Sequence, residues 1–316
     1  MSIFLIKRSI TFIVTLLGAS ILTFLSLEIL PGDPARVILG IDAPQSAVDA
    51  LRLQLGLDRP MLDRYFDWLA HLVTGKFGIS YTYNVPVIDL IKHRVGITFP
   101  LAILSMLLSV LVALILGIYA ASRHNKLGDV SVMGFSQLGI SIPNFWLALL
   151  LILLFAVNLG WFSSGGFAGW DKGIIKSIQS LILPAISLAT VQGAILARFT
   201  RSAVLETMRE DYVRTARAKG LSRRLTLWKH VLRNAMIPVI TIMGLQFANL
   251  LAGTIIVEEV FAIPGLGRLI LQAISNRDIT VVRDVVILLA ALVVFINFVV
   301  DILYAVIDPR LKPQDV

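Results

Sequence analysis

Six long apolar segments dominate this sequence and constrain what it can fold into. They run roughly over residues 9–30, 98–121, 134–158, 179–198, 236–257 and 284–307. Each has about the ~20 residues with which a helix crosses ~30 Å of hydrocarbon, and an ordinary buried helix of a soluble protein is shorter. The pattern therefore predicts an all-α, polytopic membrane protein with six transmembrane helices.

The composition supports this prediction. Hydrophobic residues make up 57% of the 316 residues and charged residues 15%, against about 45–50% and about 25% in soluble domains. Lys7 and Arg8 precede the first apolar segment, as they would in a signal peptide. That segment is longer than the usual h-region, however, and no small-residue cleavage site closes it. These features favour an uncleaved first transmembrane helix.

The basic residues indicate the orientation in the membrane. A cytoplasmic N-terminus places loops 122–133 and 199–235 and both termini on one side, and these pieces hold more than half of the lysines and arginines. Because positive residues concentrate in cytoplasmic loops, both termini are predicted to be cytoplasmic. The same distribution explains the net charge of +8. No nucleic-acid partner is expected, since the sequence lacks a basic groove interleaved with aromatic residues.

The predicted helices divide the chain into four parts. Residues 1–30 form a cytoplasmic end and the first transmembrane helix, 31–97 an extracytoplasmic helical loop region, 98–310 a five-helix transmembrane core, and 311–316 a cytoplasmic tail. Two helices predicted over 46–55 and 61–73 would make the outer region a small cap or docking surface. Loop 160–176, rich in glycine and aromatic residues, is explained either as an interfacial tryptophan belt or as a substrate contact.

Catalytic signatures are absent from the sequence. It contains no G-x-x-x-x-G-K-[ST] phosphate loop, no H-E-x-x-H and no G-x-S-x-G. Within the predicted spans we identify only two ionisable residues, Glu28 and Asp301, each close to the end of its span. With no cysteine, the chain has neither disulfides nor thiolate metal ligands. We therefore expect no enzyme activity and no catalytic, cofactor or metal site in this chain.

The loop 199–235 contains a short charged helix that cannot enter a membrane. Its predicted start carries the acidic residues Glu206, Glu210 and Asp211, and its end carries the basic residues Arg214, Arg217 and Lys219. This distribution complements the helix dipole. Gly220 followed by the apolar Leu221 is typical of a Schellman cap. A helix of this kind between two membrane spans is suited to being gripped by a partner protein.

That loop carries a resemblance to a known family. Residues 211–221, followed by residues 230–238, resemble the cytoplasmic coupling segment of the inner-membrane permeases of binding-protein-dependent ABC importers. The amino-acid sequence of this segment is most similar to the dipeptide, oligopeptide and nickel branch of these permeases. The long outer loop resembles the first of the two permease subunits in that branch, the B-type subunit. Further matches follow in order along the chain: Leu30-Pro31-Gly32-Asp33-Pro34, Leu55-Gly56-Leu57-Asp58-Arg59-Pro60, Ile142-Pro143-Asn144-Phe145-Trp146, Glu258-Glu259-Val260-Phe261 with Pro264-Gly265-Leu266-Gly267, Arg277-Asp278, and Asp301-Ile302-Leu303-Tyr304 with Asp308-Pro309-Arg310.

The resemblance implies a type I importer permease that forms half of a translocation path in a bacterial cytoplasmic membrane. Its expected partners are a homologous second permease, two ABC ATPase subunits that hold ATP and Mg, and an extracytoplasmic solute-binding protein. Short peptides are the expected substrate, with nickel, a metal chelate or another small solute as alternatives. A stand-alone channel or secondary transporter would instead need ion-coupling carboxylates or helices broken at mid-membrane, and neither is predicted.

The resemblance also suggests site residues. The wider superfamily has the pattern E-A-A-x-x-x-G, whereas this chain has Arg214, Thr215 and Ala216 before Gly220, so the usual glutamate is missing. Glu206, Glu210 and Asp211 are the candidates for a carboxylate contact to the ATPase. Small side chains at Ala216 and Ala218 would let the helix approach that partner closely. The predicted coupling residues are Glu206, Glu210, Asp211, Tyr212, Arg214, Ala216, Arg217, Ala218, Lys219, Gly220 and Leu221.

Two further groups are candidates for the translocation path. Met243, Gln246 and Asn249 on the fifth span are adaptable or polar enough to line a solvated pore. The stretch 257–267 has two interpretations. Either it is an outer gate, or Pro264-Gly265 ends a short re-entrant helix and the two glutamates are solvated. The gate candidates are Glu258, Glu259, Phe261, Pro264 and Gly265.

Overall fold

A computed structural model describes residues 2–29, 33–40 and 42–307, so the predicted segments 30–32 and 308–316 lie outside the described residues. The described chain is helical and contains no β-strand beyond one isolated bridge between Ile79 and Pro86. The α-helices, in chain order, are α1 (Ser2–Glu28), α2 (Pro34–Leu39), α3 (Gln45–Gln54), α4 (Met61–Val73), α5 (Val87–Ser122), α6 (Leu127–Ser141), α7 (Asn144–Leu151), α8 (Ile174–Thr207), α9 (Asp211–Ala218), α10 (Arg223–Thr226), α11 (Leu232–Val260), α12 (Leu266–Ser275) and α13 (Ile279–Ile307). Shorter helical pieces are the π-helical turns Ile152–Asn158 and Leu227–Val231 and the 3₁₀ turn Trp170–Lys172.

Among the described residues, five helices are long and apolar enough to cross a membrane. They are Leu5–Glu28, Val87–Ser122, Ile174–Thr207, Arg223–Val260 and Ile279–Ile302. A sixth span is obtained when the bent pair Leu127–Ser141 and Asn144–Asn158 counts as one. The prediction of an all-α membrane protein with six spans is therefore confirmed, with longer helices than the apolar segments alone suggested.

The third span differs from its prediction because it is broken. Residues 134–158 were expected to form one continuous helix, but α6 and α7 meet at an angle of 99°. Ile142 has an extended ψ of 121°, because the ring of Pro143 disfavours the helical conformation in the residue before it. Pro143 also lacks the N–H that a continuing helix would need. The break therefore follows from a local rule in the sequence.

The described residues divide into two compact units, the first of which contains residues 98–263 together with 2–5 and 296–307. Helix α8 is central in this unit and packs against α6, α7 and α11. Small residues allow close packing around it. A Cβ on Gly117 of α5 would lie 2.8 Å from the carbonyl oxygen of Ala197 and 2.7 Å from Cβ of Thr200. Glycine at this position lets α5 approach the α8 backbone.

The second unit contains the described residues between 6 and 97 together with 264–295. Its core joins the start of α5 to α12 and α13 through buried aliphatic side chains such as Val87, Leu269 and Val285. Helices α3 and α4 confirm the helices predicted over 46–55 and 61–73. Helix α2 was missed, although the sequence carries its start signal. Asp33 caps it by accepting a hydrogen bond from the N–H of Ala35, with proline at the first helical position.

One carboxylate in the second unit both begins a helix and fastens a loop. Asp278 is 1% exposed, and its Oδ1 accepts a hydrogen bond from the N–H of Val281 at 3.2 Å in the first turn of α13. Its Oδ2 accepts from the hydroxyl of Ser80 at 2.5 Å and from the N–H of Thr82 at 3.0 Å. The loop between α4 and α5 is therefore attached to the start of α13.

This arrangement predicts that Asp278→Ala destabilises the protein. We expect a loss of about 2–3 kcal/mol, because a helix cap disappears and two donors lose a charged acceptor. The measurement is the thermal unfolding midpoint of the purified protein in detergent. Asp278→Asn, which keeps one acceptor oxygen, should lose less, and Asp89→Ala on the exposed surface of α5 should change little. Equal effects of Asp278→Ala and Asp89→Ala would contradict the prediction.

Candidate functional site

The predicted short helix in loop 199–235 is present as α9, and its C-terminal cap has the predicted geometry. Gly220 has a φ of +86°, a left-handed conformation that glycine adopts at little cost. Its N–H donates to the carbonyl of Arg217 at 3.0 Å, and the N–H of Leu221 donates to the carbonyl of Ala216 at 3.3 Å. These two hydrogen bonds define a Schellman motif, so the predicted cap is confirmed.

Helix α9 is fastened to its own chain by one apolar face. Val213 is 1% exposed and belongs to a core cluster with Val204 of α8 and with Val231, Leu232 and Ala235 around the start of α11. An isolated helix of eight residues is not stable alone in water. Its packing against two membrane-length helices therefore makes α9 a fixed projection from the first unit.

A polar contact adds to this attachment. The hydroxyl of Tyr212 accepts a hydrogen bond from the side-chain amide of Asn234 at 2.8 Å, so α9 and α11 are linked beside the apolar cluster. Tyr212 is 40% exposed and leaves part of its ring available to a partner.

The prediction that Ala216 faces a partner is wrong. Ala216 is 7% exposed within the chain and lies three residues after Val213, on the same face of the helix. Its small side chain lets α9 approach its own chain rather than another protein. The exposed predicted residues of α9 and its C-terminal end are Asp211, Tyr212, Arg214, Arg217, Ala218, Lys219 and Gly220, with Leu221 half-buried.

The three acidic candidates lie in different elements of the structure. Glu206 lies in the last turn of α8, so its assignment to the start of the short helix is wrong. Glu210 immediately precedes α9 and Asp211 begins it. All three are exposed, and Asp211 pairs with Arg214 at 3.3 Å on the surface. Exposed ion pairs of this kind add little stability, which leaves both side chains free to exchange partners.

The connection from α9 to α11 has an irregular backbone. Ser222 caps the next helix by accepting a hydrogen bond from the N–H of Leu225 at 3.3 Å. The helix then passes through the π-helical turn Leu227–Val231 before it continues as α11, with Pro238 inside it. Such π-helical insertions are frequent at functional sites.

The three pore candidates on α11 have different environments. Gln246 is buried, Asn249 is exposed and Met243 is half-buried. The side-chain amide of Asn249 donates to Oε1 of Gln246 at 3.3 Å. Asn249 is therefore the most exposed of the three candidates, Met243 is partly accessible, and Gln246 is enclosed by the chain.

Glu258 corrects the expectation of a solvated glutamate. It is fully buried, inside α11, and its Oε1 accepts a hydrogen bond from the hydroxyl of Thr98 at 2.6 Å. Glu259 is exposed.

The restriction of ionisable residues to Glu28 and Asp301 is also wrong, since the predicted spans 179–198 and 284–307 themselves contain Arg198 and Asp284, and Asp284 is fully buried in α13. Glu258 lies outside the predicted span 236–257 but inside α11, because that helix is longer than the apolar segment.

The remaining gate candidates flank the end of α11. Phe261 is 2% exposed, and its carbonyl accepts a hydrogen bond from the N–H of Gly166 at 2.7 Å, which links loop 160–176 to this point. Pro264 is exposed and Gly265 buried. They precede α12, so the alternative in which they end a re-entrant helix is wrong.

Three buried amide oxygens in the first unit were not among the predicted candidates. They are Oδ1 of Asn144, Oε1 of Gln192 and Oδ1 of Asn297, and none of the described residues donates a hydrogen bond to them. Asn144 begins α7 directly after the break at Pro143, and the signal available was its place in the Ile142-to-Trp146 motif. Unpaired amide oxygens among apolar helices are costly, and such groups suit a path that water or a polar solute enters.

Nearly the whole chain matches models of known protein families. Residues 113–313 match the family described as binding-protein-dependent transport system inner membrane component. Residues 1–102 match the N-terminal part of such membrane components.

Relatives match the chain over nearly its whole length. A peptide transport system permease protein of Brucella abortus strain 2308 is 42% identical over 312 residues, 99% of this chain and 99% of the relative. The glutathione transport system permease protein GsiC of Escherichia coli K12 is 43% identical over 309 residues, 98% of each chain.

Solved structures agree at the level of the fold. A chain of the MetNI methionine ABC transporter in inward-facing conformations is similar with a TM-score of 0.58 at 21% identity, covering 69% of this chain and 96% of that one. A chain of an amino acid ABC transporter has a TM-score of 0.52 at 17% identity, with 71% and 95% covered. Together with the sequence matches, they show that the chain belongs to the inner membrane components of binding-protein-dependent transport systems and is a permease of an ABC importer.

Proposed function

We propose that this permease forms half of a translocation path for short peptides, which an extracytoplasmic binding protein delivers. The observation that carries this proposal is the identity of 42–43% over 98–99% of the chain with relatives named for peptide and glutathione transport. Glutathione is itself a tripeptide. The polar groups of Asn249, Asn144 and Gln192 in the first unit suit a solute with several amide groups.

The proposed assembly contains a second permease, two ABC ATPases and the binding protein. ATP and Mg bind in the ATPase subunits, where hydrolysis takes place, and this chain holds no cofactor. Both termini and loop 199–235 face the cytoplasm in this proposal, as the distribution of basic residues supports.

Coupling is proposed to run through α9. Its exposed face meets the ATPase, while its buried face, around Val213, passes movement to the ends of α8 and α11. Because the core cluster under α9 is closely packed, displacement of the helix displaces these ends as well. The π-helical turn Leu227–Val231 lies between α9 and the rest of α11 and is the place where the backbone can absorb or transmit that movement.

The substrate proposal predicts a loss of peptide uptake when the gene is deleted. Uptake of radiolabelled trialanine and glutathione by whole cells should fall at least severalfold and return with a plasmid copy of the gene. Uptake of ⁶³Ni²⁺ should be unchanged. A selective loss of nickel uptake would assign the nickel alternative instead.

The coupling proposal predicts that Gly220→Val uncouples transport. Valine at a φ of +86° costs roughly 1–2 kcal/mol through backbone strain, although the position itself is open. We expect peptide uptake and substrate-stimulated ATP hydrolysis to fall severalfold while membrane insertion is retained. Gly134→Val is the matched control, since Gly134 is also open but has no positive φ. Equal uptake by both variants would contradict the role of the cap.

The exposed face of α9 yields a separate prediction. Arg217→Glu should reduce co-purification of the ATPase subunits, because it reverses a surface charge at the proposed contact without touching the core. Lys172→Glu makes the same charge change in loop 160–176, which is proposed to lie on the opposite side of the membrane. The measurement is affinity purification in mild detergent with quantitative mass spectrometry. Full ATPase recovery with Arg217→Glu would show that this face is not the contact.

A further inference from the structure

A large cavity in the second unit has no role in the coupling or translocation described above. Its volume is about 930 Å³, within the range of ligand pockets. Its walls include the end of α1, one face of α4, the loop before α5 and the first turns of α13. Apolar side chains such as Phe24, Leu27 and Leu72 share these walls with charged ones.

Two guanidinium groups in this cavity have hydrogen-bond donors without acceptors. The Nε atoms of Arg64 and Arg283 are both buried, and none of the described residues accepts a hydrogen bond from either. The carboxylate of Asp284 lies 3.7 Å from Nε of Arg283, too far for a hydrogen bond. Buried polar groups in native proteins are nearly always satisfied, so these donors indicate a ligand that carries acceptor oxygens.

Arg64 and Arg283 both line the cavity beside Trp68. The guanidinium of Arg283 lies over the ring of Trp68, 4.9 Å from its centroid, which fixes its plane by a cation–π contact. Arg64 precedes Trp68 by one helical turn on α4, so both arginines approach the same face of that helix. A fixed guanidinium matches the geometry of an oxyanion with two acceptor oxygens.

Most carboxylates of the cavity wall are already occupied. Glu28 pairs with Arg64, and Asp33 with Arg52 at 2.8 Å. Asp284 accepts hydrogen bonds from the indole of Trp68 at 2.9 Å and from the N–H of Gly78 at 3.1 Å.

Two acidic residues remain. Asp67 pairs with Arg59 at 3.0 Å on the rim, and Asp58 is exposed. Asp284 is ion-paired with Nε of Arg283 at 3.7 Å, but no carboxylate of the described residues accepts a hydrogen bond from Nε of Arg64 or Arg283.

The position of the cavity identifies the source of the oxyanion. Helix α4 lies against the last turns of α1, a membrane span, with Tyr65 hydrogen-bonded to Ser20 at 2.8 Å. The opposite side of α4 exposes an apolar stripe in which Leu62 is 65%, Phe66 62% and Val73 82% exposed. Such an amphipathic helix is typical of the membrane interface, which places the cavity beside lipid headgroups.

We propose that this cavity binds the phosphate-bearing headgroup of a membrane phospholipid, with Arg64 and Arg283 donating to the phosphate oxygens. The apolar wall residues would contact the glycerol and the first acyl carbons. An inorganic oxyanion would fill only a small part of about 930 Å³, whereas a headgroup with its glycerol fills much more. The proposal does not depend on the peptide substrate.

The test is lipid binding to the purified, delipidated full-length chain, counted by native mass spectrometry. Dioleoyl phosphatidylglycerol should bind at least about tenfold more tightly than dioleoylglycerol, which lacks the phosphate. Arg64→Gln and Arg283→Gln should each abolish this preference. Arg59→Gln, at a rim position 49% exposed, should keep it. An unchanged preference in the first two variants would overturn the proposal.

A second measurement leaves both arginines in place, so it does not depend on the folding of those variants. The chain has no cysteine, and Leu57→Cys therefore introduces a single thiol into the cavity wall. Added phosphatidylglycerol should slow its alkylation severalfold, whereas dioleoylglycerol should not. Leu53→Cys, at a position 66% exposed and outside the cavity lining, should show no protection, and equal rates at both thiols would overturn the proposal. Restoration of the fast rate by millimolar trialanine or inorganic phosphate would assign the cavity to a soluble anion and overturn the lipid source.

Discussion

Backbone hydrogen bonding inside hydrocarbon is the constraint on which the rest of this structure depends. A segment that crosses a membrane without water must satisfy every N–H and C=O internally, and for a single chain with these apolar runs the helix is the solution. The described chain obeys this rule along five long helices. It departs from it at Ile142-Pro143, where α6 and α7 meet at 99°. Backbone that is not helical at such depth is tolerated where protein or a water-filled path surrounds it, and Asn144 stands directly at this point.

The proposed coupling helix α9 has to meet two physical requirements. In that proposal it presents charged and aromatic groups to the ATPase, and it moves with the membrane helices. The structure meets both by turning Val213 and Ala216 inward and leaving the charged residues outside. A side chain that packs in a dense core cannot move independently of its neighbours. The same packing that stabilises α9 therefore makes it a mechanical link to α8 and α11.

Charged groups in the second unit are used in a different way. Asp278 and Asp284 are nearly or fully buried. Asp278 holds the loop before α5 to α13 through Ser80 and Thr82. Asp284 holds Gly78 of that loop and Trp68 of α4 to α13. A buried carboxylate is stable only when its oxygens have such partners. Arg64 and Arg283 lack the corresponding acceptors for Nε. In this cavity the oxygens of the buried carboxylate Asp284 accept hydrogen bonds, whereas the Nε donors of the two arginines have no acceptor among the described residues. This difference distinguishes the cavity from an ordinary structural ion-pair network.

The sequence by itself determined the helical class, the number of spans, helices α3 and α4, and the cap at Gly220. These depend on segment length and on local backbone preferences, which neighbouring residues in the chain specify. The break at Pro143 and the start of α2 were also present in the sequence as local signals, but the long apolar run and the loop composition obscured them.

Only the tertiary structure decided which face of α9 is buried, that Glu258 is paired with Thr98, and that Arg64 and Arg283 share a cavity. Each of these depends on contacts between residues far apart in the chain: Val213 with Val204 and Val231, Thr98 with Glu258, and Trp68 with Arg283. A short charged helix has no long apolar stripe that would reveal its inner face, and Ala216 fits either side equally well. Burial and partner choice are set by packing, and packing is a property of the folded chain.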